Sequence, residues 1–332
     1  MSDAAPLLAA QALAAIAGVC AALGWGSADF IARYTGRALG LARALFGMLL
    51  VSAALMWLLL WWLKSPVDFI ADGRWQQLWL VVIYGLGLAA ATGLLYAALS
   101  RGPVAVAAPL VGSFPAFSLL IAVALGALPS AAEWLAMALV MAGVLMVARA
   151  AGVAEDAAEG VAGSAGAARG GLRGTVLIAL CSALLFAITL AAMQEAALHY
   201  GELQSVAAGR ALALFCCALL VLWQASRRAG AAGDGAGGEP GDGRRGLILP
   251  LAWWPALGAQ GVLDGGAYIA IAAGSEGAGS VITPVIASAF SAVTVLLARL
   301  VLKEPMSAAQ WLGVGAIVCG VAWLSALGQA GV

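Results

Sequence analysis

The chain is made of apolar runs about as long as a bilayer is thick, and little else can be built from such a pattern. Ten runs can be read, at about 9–31, 42–63, 76–99, 103–126, 132–150, 172–197, 204–225, 252–273, 278–301 and 308–327. A hydrocarbon core takes roughly 20 helical residues to cross. Inside it, unpaired backbone groups find no water, so a span must be a helix or a strand of a closed barrel. Barrel strands would be short and alternating; these runs are long and nearly continuous. The expected fold is therefore all-α, a polytopic membrane protein of ten transmembrane helices. Composition agrees, with 10% charged residues against roughly a quarter in a soluble domain.

No Lys or Arg precedes the first run, so a retained span is expected rather than a cleaved leader. Cys20, Cys181, Cys216, Cys217 and Cys319 all fall inside apolar runs. They read as small packing residues, with no disulfide framework or metal spacing. Net charge is zero, which gives nucleic acid no footing. Residues 151–171 and 229–246, rich in Gly, Ala and charge, read as flexible aqueous loops. Arg outnumbers Lys fourteen to two beside abundant Ala and Gly, a bias of GC-rich bacterial genomes; the inner membrane is the expected location.

The runs repeat. "SAAEWLAMALVMAGV" (130–144) aligns with "SAAQWLGVGAIVCGV" (307–321), matching Trp134 to Trp311 and Gly143 to Gly320. "SRGPVAVAAP" (100–109) aligns with "SEGAGSVITP" (275–284), "ARAL" (42–45) with "GRAL" (209–212), and "CAALGW" (20–25) loosely with "CSALLF" (181–186). The chain divides into two five-helix repeats, 9–150 and 172–327. An odd number of spans per repeat forces the two into opposite orientations, as in carriers that alternate access around a site between inverted repeats.

"GWGSADF" (24–30), the Arg43 and Arg210 segments, "ALSRGPVAVAAPLVGSFPAF" (98–117) and "VLKEPMSAAQWLGVGAIVCGVAWL" (301–324) resemble the EamA-type, ten-helix drug/metabolite transporters. The resemblance covers nearly the whole chain. It implies a carrier of amino acids, other small metabolites or drugs, and it leaves the substrate open. One position departs from the pattern: Glu304 stands in the second repeat, but Ala127 holds the matching place in the first.

Charges within spans are costly, at roughly 2.5–3.5 kcal/mol at a helix centre, and so are expected to be used. Asp264 lies near the middle of the eighth run and shares a face with Gln260 and Tyr268 at four-residue spacing. A helix break at Asp264-Gly265-Gly266 and a structural pair with an arginine are the alternatives. The repeat offset sets Ala89 opposite it. Trp25, Ser27 and Asp29 end the first run, where Asp29 reads as a solvated helix end ahead of a ligand contact. Tyr84, Thr92 and Tyr96 form a polar stripe on the third helix, a second candidate wall of a central cavity. Arg43 and Arg210 start helices, where long side chains snorkel to the interface; architecture is the first reading and anion contact the second. Pro109 and Pro284 are repeat mates and, with Pro115, read as helix kinks. Trp57, Trp61, Trp62, Trp75 and Trp79 read as an interfacial belt.

No catalytic constellation, metal cluster or cofactor cradle is visible, so no enzyme, metal or cofactor is expected. The expected partners are a small-molecule substrate and lipid, with protons coupled through Asp264. Monomer and homodimer both remain open. The expected cavity is lined by helices one, three, four, six, eight and nine. A membrane-embedded structural or regulatory subunit that moves nothing is the alternative. Loops after odd-numbered helices carry twelve basic residues against two after even-numbered ones, which places both termini outside by the positive-inside rule; the family resemblance places them in the cytoplasm.

Overall fold

The computed structural model describes residues 4–65, 69, 75–124, 126, 128–162, 167–233, 249–274, 283–284 and 286–330. Those residues are helical almost throughout. The helices are α1 (Ala4–Leu39), α2 (Leu41–Trp62), α3 (Leu78–Arg101), α4 (Val104–Gly112), α5 (Phe114–Ala124), α6 (Ala131–Ala162), α7 (Ala167–Tyr200), α8 (Glu202–Gly233), α9 (Trp254–Gly274), α10 (Phe290–Val301) and α11 (Ala308–Ala330). Seven described segments are long and apolar enough to cross a membrane, with three shorter apolar helices at Ala131–Val147, Phe290–Val301 and Ala308–Leu324. These account for the ten spans, α4 and α5 together forming the fourth.

Several helices outrun their apolar segments. α1 continues to Leu39, which carries Asp29 well inside a helix rather than to its end. α6 and α7 take up most of 151–171, the stretch expected as a loop; residues 163–166 lie outside the described ones. Alanine, the strongest helix former, fills that stretch and favours continuation of each helix. Of the second expected loop, α8 includes residues up to Gly233, and 234–246 lie outside the described residues.

The helices pack as two mutually inverted sets. α3 lies along α7 as α1 lies along α9; α3 meets α8 as α9 meets α2; α4 and α5 meet α7 as α10 meets α1. α2 pairs with its own mate α8, and α6 with its own mate α11. The last pairing shows the symmetry atom by atom. A Cβ placed on Gly143 would lie 2.6 Å from the Gly313 carbonyl and 2.8 Å from Ile317 Cγ1. One on Gly320 would lie 2.7 Å from Val140 Cγ2 and 3.0 Å from the Ala136 carbonyl. Gly143 and Gly320 thus play the same part in the two repeats, Gly313 adds a third close approach, and two antiparallel backbones come together with nothing between them.

Turn chemistry sets the register of the second helix in each repeat. Gly40 and Gly201 have φ of 82° and 86°, a left-handed conformation open to glycine at little cost. Each joins two helices with no further linker. Counted from these turns, Arg210 is the mate of Leu49, and Arg43 is the mate of Gln204. The packing agrees: Gly85 meets Gly209 and Leu212, while Gly261 meets Met48 and Val51. The sequence pairing of Arg43 with Arg210 is therefore corrected, a short motif match having outweighed the turns.

The fourth span breaks between α4 and α5. Pro115 has no amide hydrogen and crowds the carbonyl one turn back, so the helix stops just before it. Ser113 bridges the gap, donating its hydroxyl to the Leu110 carbonyl at 2.7 Å. Pro109 sits inside α4, buried. Ser288–Ala289 form the corresponding turn ahead of α10, with Pro284 before it. The tryptophans expected as a belt are exposed, Trp61 and Trp62 to 74% and 75%.

Candidate functional site

Eight of the ten spans converge on a central cavity of about 100 Å³; only α6 and α11 stand outside it. This enlarges the expected lining by the second and seventh spans, which contribute Met48, Leu49 and Arg210. At roughly 10–15 Å³ for each water centre, the space holds about eight waters, and so a solute of similar heavy-atom count.

Twelve of the seventeen lining residues fall into pairs across the inverted repeat. Trp25 answers to Phe186, Phe114 to Phe290 and Thr92 to Tyr268. Each charged residue answers to a leucine: Asp29 to Leu190, Arg210 to Leu49 and Asp264 to Leu88. Packing thus moves the mate of Asp264 from Ala89 to its neighbour Leu88. The aromatic walls of the cavity are largely two-fold, and its charge is not.

Arg210 is 1% exposed, deep in α8 rather than at its start. Its Nη1 donates to Asp264 Oδ2 and to Ser52 Oγ, both at 2.5 Å. Ser52 in turn donates to the same Asp264 oxygen at 3.0 Å. The guanidinium carbon lies 4.4 Å from the centre of the Tyr268 ring, a cation–π contact. An interfacial arginine with its head in water is therefore not what the fold contains. Snorkelling needs a path to the surface, and the surrounding helices leave none. Asp264 both lines the cavity and pairs with an arginine, and helix α9 runs unbroken through Gly265 and Gly266.

Gln260 is fully buried and is not among the residues that line the cavity. It donates to the Tyr96 hydroxyl and accepts from Thr35 Oγ1 at 3.0 Å, tying α9 to α3 and α1. Tyr96 still lines the cavity, as does Thr92. Tyr84 does not; it is fully buried against Gly209, and its hydroxyl has no partner among the described residues. Ser27 does not line it either, since it lies half a turn away from the face that Trp25 and Asp29 share. Asp29 does line it, partly buried and with no described ion-pair or hydrogen-bond partner. The reading of Asp29 as a solvated helix end fails because α1 continues ten residues beyond it. Arg43 is not among the lining residues.

Aromatic rings complete the walls. Trp25 meets Tyr268 edge to face at 4.9 Å and Phe290 at 6.1 Å. Phe114, Phe186 and Phe290 were not singled out in the sequence. A lone phenylalanine in an apolar run carries no signal separating cavity wall from packing.

At one end of the bundle a polar cluster joins three distant segments. Arg33 Nη1 contacts Glu304 Oε1 at 2.7 Å and donates to the Gly102 carbonyl at 3.2 Å. The Glu304 carboxylate also accepts from the amides of Val104 and Ala105, at 3.3 and 3.1 Å. It therefore caps the first turn of α4, where free amides and the helix dipole favour a negative charge. Arg37 Nε donates to the Ser100 carbonyl at 2.7 Å, and Arg299 to the Glu304 carbonyl at 3.0 Å. Ala127, at the matching place in the first repeat, has no side chain able to do this; it lies outside the described residues.

An all-helical, multi-pass membrane protein whose inverted halves enclose a largely apolar cavity with three charged side chains in its wall is the architecture these observations define. The EamA-like transporter family model matches residues 12–149 and again 173–326, one match per repeat. The chain belongs to the EamA-like transporter family, and so to the membrane transporters. Among curated proteins no sequence match is found. One solved structure, described only as the crystal structure of a protein, aligns over 96% of this chain and 98% of its own at 19% identity, with a TM-score of 0.55. Identity that low makes it a likeness of fold alone.

Proposed function

We propose that the protein carries a small metabolite, amino acid or drug across the bacterial inner membrane by alternating access, and that it works as an exporter. The observation that carries this reading is the position of the cavity. It lies between the inverted halves, and the Arg33–Glu304 cluster ties α1, the start of α4 and the segment after α10 together at one end of the bundle, where we take it to close the passage. A passage through the protein requires that cluster to separate. An equivalent rearrangement at the other end would restore the shut state.

Proton coupling, expected at Asp264, moves in this reading to Asp29. A proton on Asp264 would leave the buried Arg210 uncompensated, a cost of about 3–5 kcal/mol. A proton on Asp29 breaks no described ion pair. In proteoliposomes, Asp29→Asn is expected to abolish uphill transport driven by a proton gradient while retaining passive exchange at raised solute concentration. Gradient-driven transport by Asp29→Asn at the wild-type rate would overturn the coupling role. Absence of exchange of any solute by the wild type would overturn the carrier.

A further inference from the structure

The charge in the cavity is unbalanced, and the imbalance selects a ligand. Asp264 is answered by Arg210, and Asp29 is answered by no described side chain. With all three ionised, the lining carries one surplus negative charge within low-dielectric walls. An anionic solute would meet two carboxylates. The single guanidinium is 1% exposed, and its Nη1 is already given to Asp264 and Ser52. A neutral solute would leave the surplus to be cancelled by a proton on Asp29, since an uncompensated charge is expensive away from water. A cation answers it.

The walls point the same way. Trp25 lies one helical turn from Asp29 on the same face of α1, so its indole and the carboxylate border one space. Phe290 and Tyr268 flank the indole. The Tyr268 ring already holds one cation against it, that of Arg210. Aromatic faces beside a carboxylate are the surroundings that bind desolvated ammonium and guanidinium groups.

We infer that the cavity takes a small organic cation, its positive charge seated between the Asp29 carboxylate and the Trp25 indole. This rests on the carrier reading above and narrows it to a charge class. The volume suits a monocation of about eight heavy atoms. Asp264 and Arg210 form a neutral pair beyond the Tyr268 ring, and a hydroxyl or amide on the solute can reach the exposed part of the Asp264 carboxylate.

The test compares cations with neutral solutes of the same shape on the purified full chain. Choline is set against 3,3-dimethylbutan-1-ol, and guanidinium against urea, by calorimetric titration and thermal shift. A panel of neutral amino acids, sugars and organic acids runs alongside. At least one cation is expected to bind about thirtyfold more tightly than its neutral counterpart. Asp29→Asn is expected to bring that ratio to within about threefold, and Asp29→Glu to keep most of it. Equal binding of cation and isostere, or a ratio unchanged in a folded Asp29→Asn protein, overturns the inference. Where the asparagine variant does not fold, the wild-type ratio and the glutamate variant decide. Neutral or anionic solutes binding and exchanging in proteoliposomes where cations do not would leave the carrier standing and remove the cation. If no solute of any charge binds or exchanges, both readings fall.

Discussion

Replacing Glu304 with alanine should unlatch one end of the bundle. The carboxylate holds three things at once: the Arg33 guanidinium at 2.7 Å, and the amides of Val104 and Ala105 at 3.3 and 3.1 Å. Hydrogen bonds to a charged group are worth roughly 1.5–3 kcal/mol each when protected, and loss of a helix cap costs about 1 kcal/mol. Both partners of the ion pair keep some access to solvent, 14% for Arg33 and 13% for Glu304, so the sum must be discounted. About 2–3 kcal/mol is a reasonable total, and it favours only the shut arrangement. Its removal should raise the open-to-shut ratio at that end by about 30–150-fold. The assay starts from a protein without its five native cysteines, carrying Ala28→Cys on the cavity wall. A membrane-impermeant maleimide is presented from the latched side alone. Labelling should accelerate at least about tenfold in Glu304→Ala, with Glu304→Gln between it and the parent. Equal rates in the folded parent and alanine proteins would show that the cluster braces the bundle without closing it.

Asp264→Ala leaves a buried arginine without its counter-charge and should destabilise the protein by about 3–5 kcal/mol, whereas Asp264→Leu combined with Arg210→Met should recover most of that; melting of the detergent-purified proteins decides, and an unchanged Asp264→Ala melting temperature would contradict it. Gly143→Leu should force α6 from α11 and lower the melting temperature by several degrees, while Gly315→Ala, with open space where its Cβ would go, should leave it unmoved. Gln260→Leu strands the Tyr96 hydroxyl and leaves Thr35 Oγ1 only its intrahelical carbonyl acceptors at 3.4 Å, and should cost about 1–3 kcal/mol in the same assay; a loss no larger than that of an exposed Gln76→Leu control would count against the three-helix tie. For orientation, an introduced cysteine near the N-terminus should react with impermeant reagent on intact cells if the loop charges govern insertion; reaction only in inverted vesicles would place the termini inside.

The spans were legible because lipid makes the apolar run itself the signal. Trp134 and Trp311, with their flanking glycines, gave away the repeat, and Asp264 stood out as a charge without neighbours in the chain. What surrounds it was harder to see. Arg210 is close to Asp264 only through the register of α8, and that register depends on the Gly201 turn rather than on the four-residue match with Arg43. Asp29 looked peripheral because the apolar run fades there, although the helix does not. Gln260 shares a face with Asp264, but a helix face is wide enough to serve the cavity on one flank and a buried hydroxyl pair on the other. The Arg33–Glu304 cluster joins residues 271 positions apart, a closeness that no local pattern can express.

The contact between α6 and α11 is its own mirror in sequence, Gly143 and Gly320 exchanging roles across it. A surface that fits itself in this way can be specified by a single five-helix gene product inserting in both senses, the isologous arrangement of a two-fold dimer. In such a dimer every residue occurs twice: Asp29, Arg210 and Asp264 would each confront a copy of itself across the cavity. Tandem fusion lifts that constraint. It lets a leucine stand where the second copy of each charge would have been, so that a symmetric scaffold comes to hold a single, one-sided ligand.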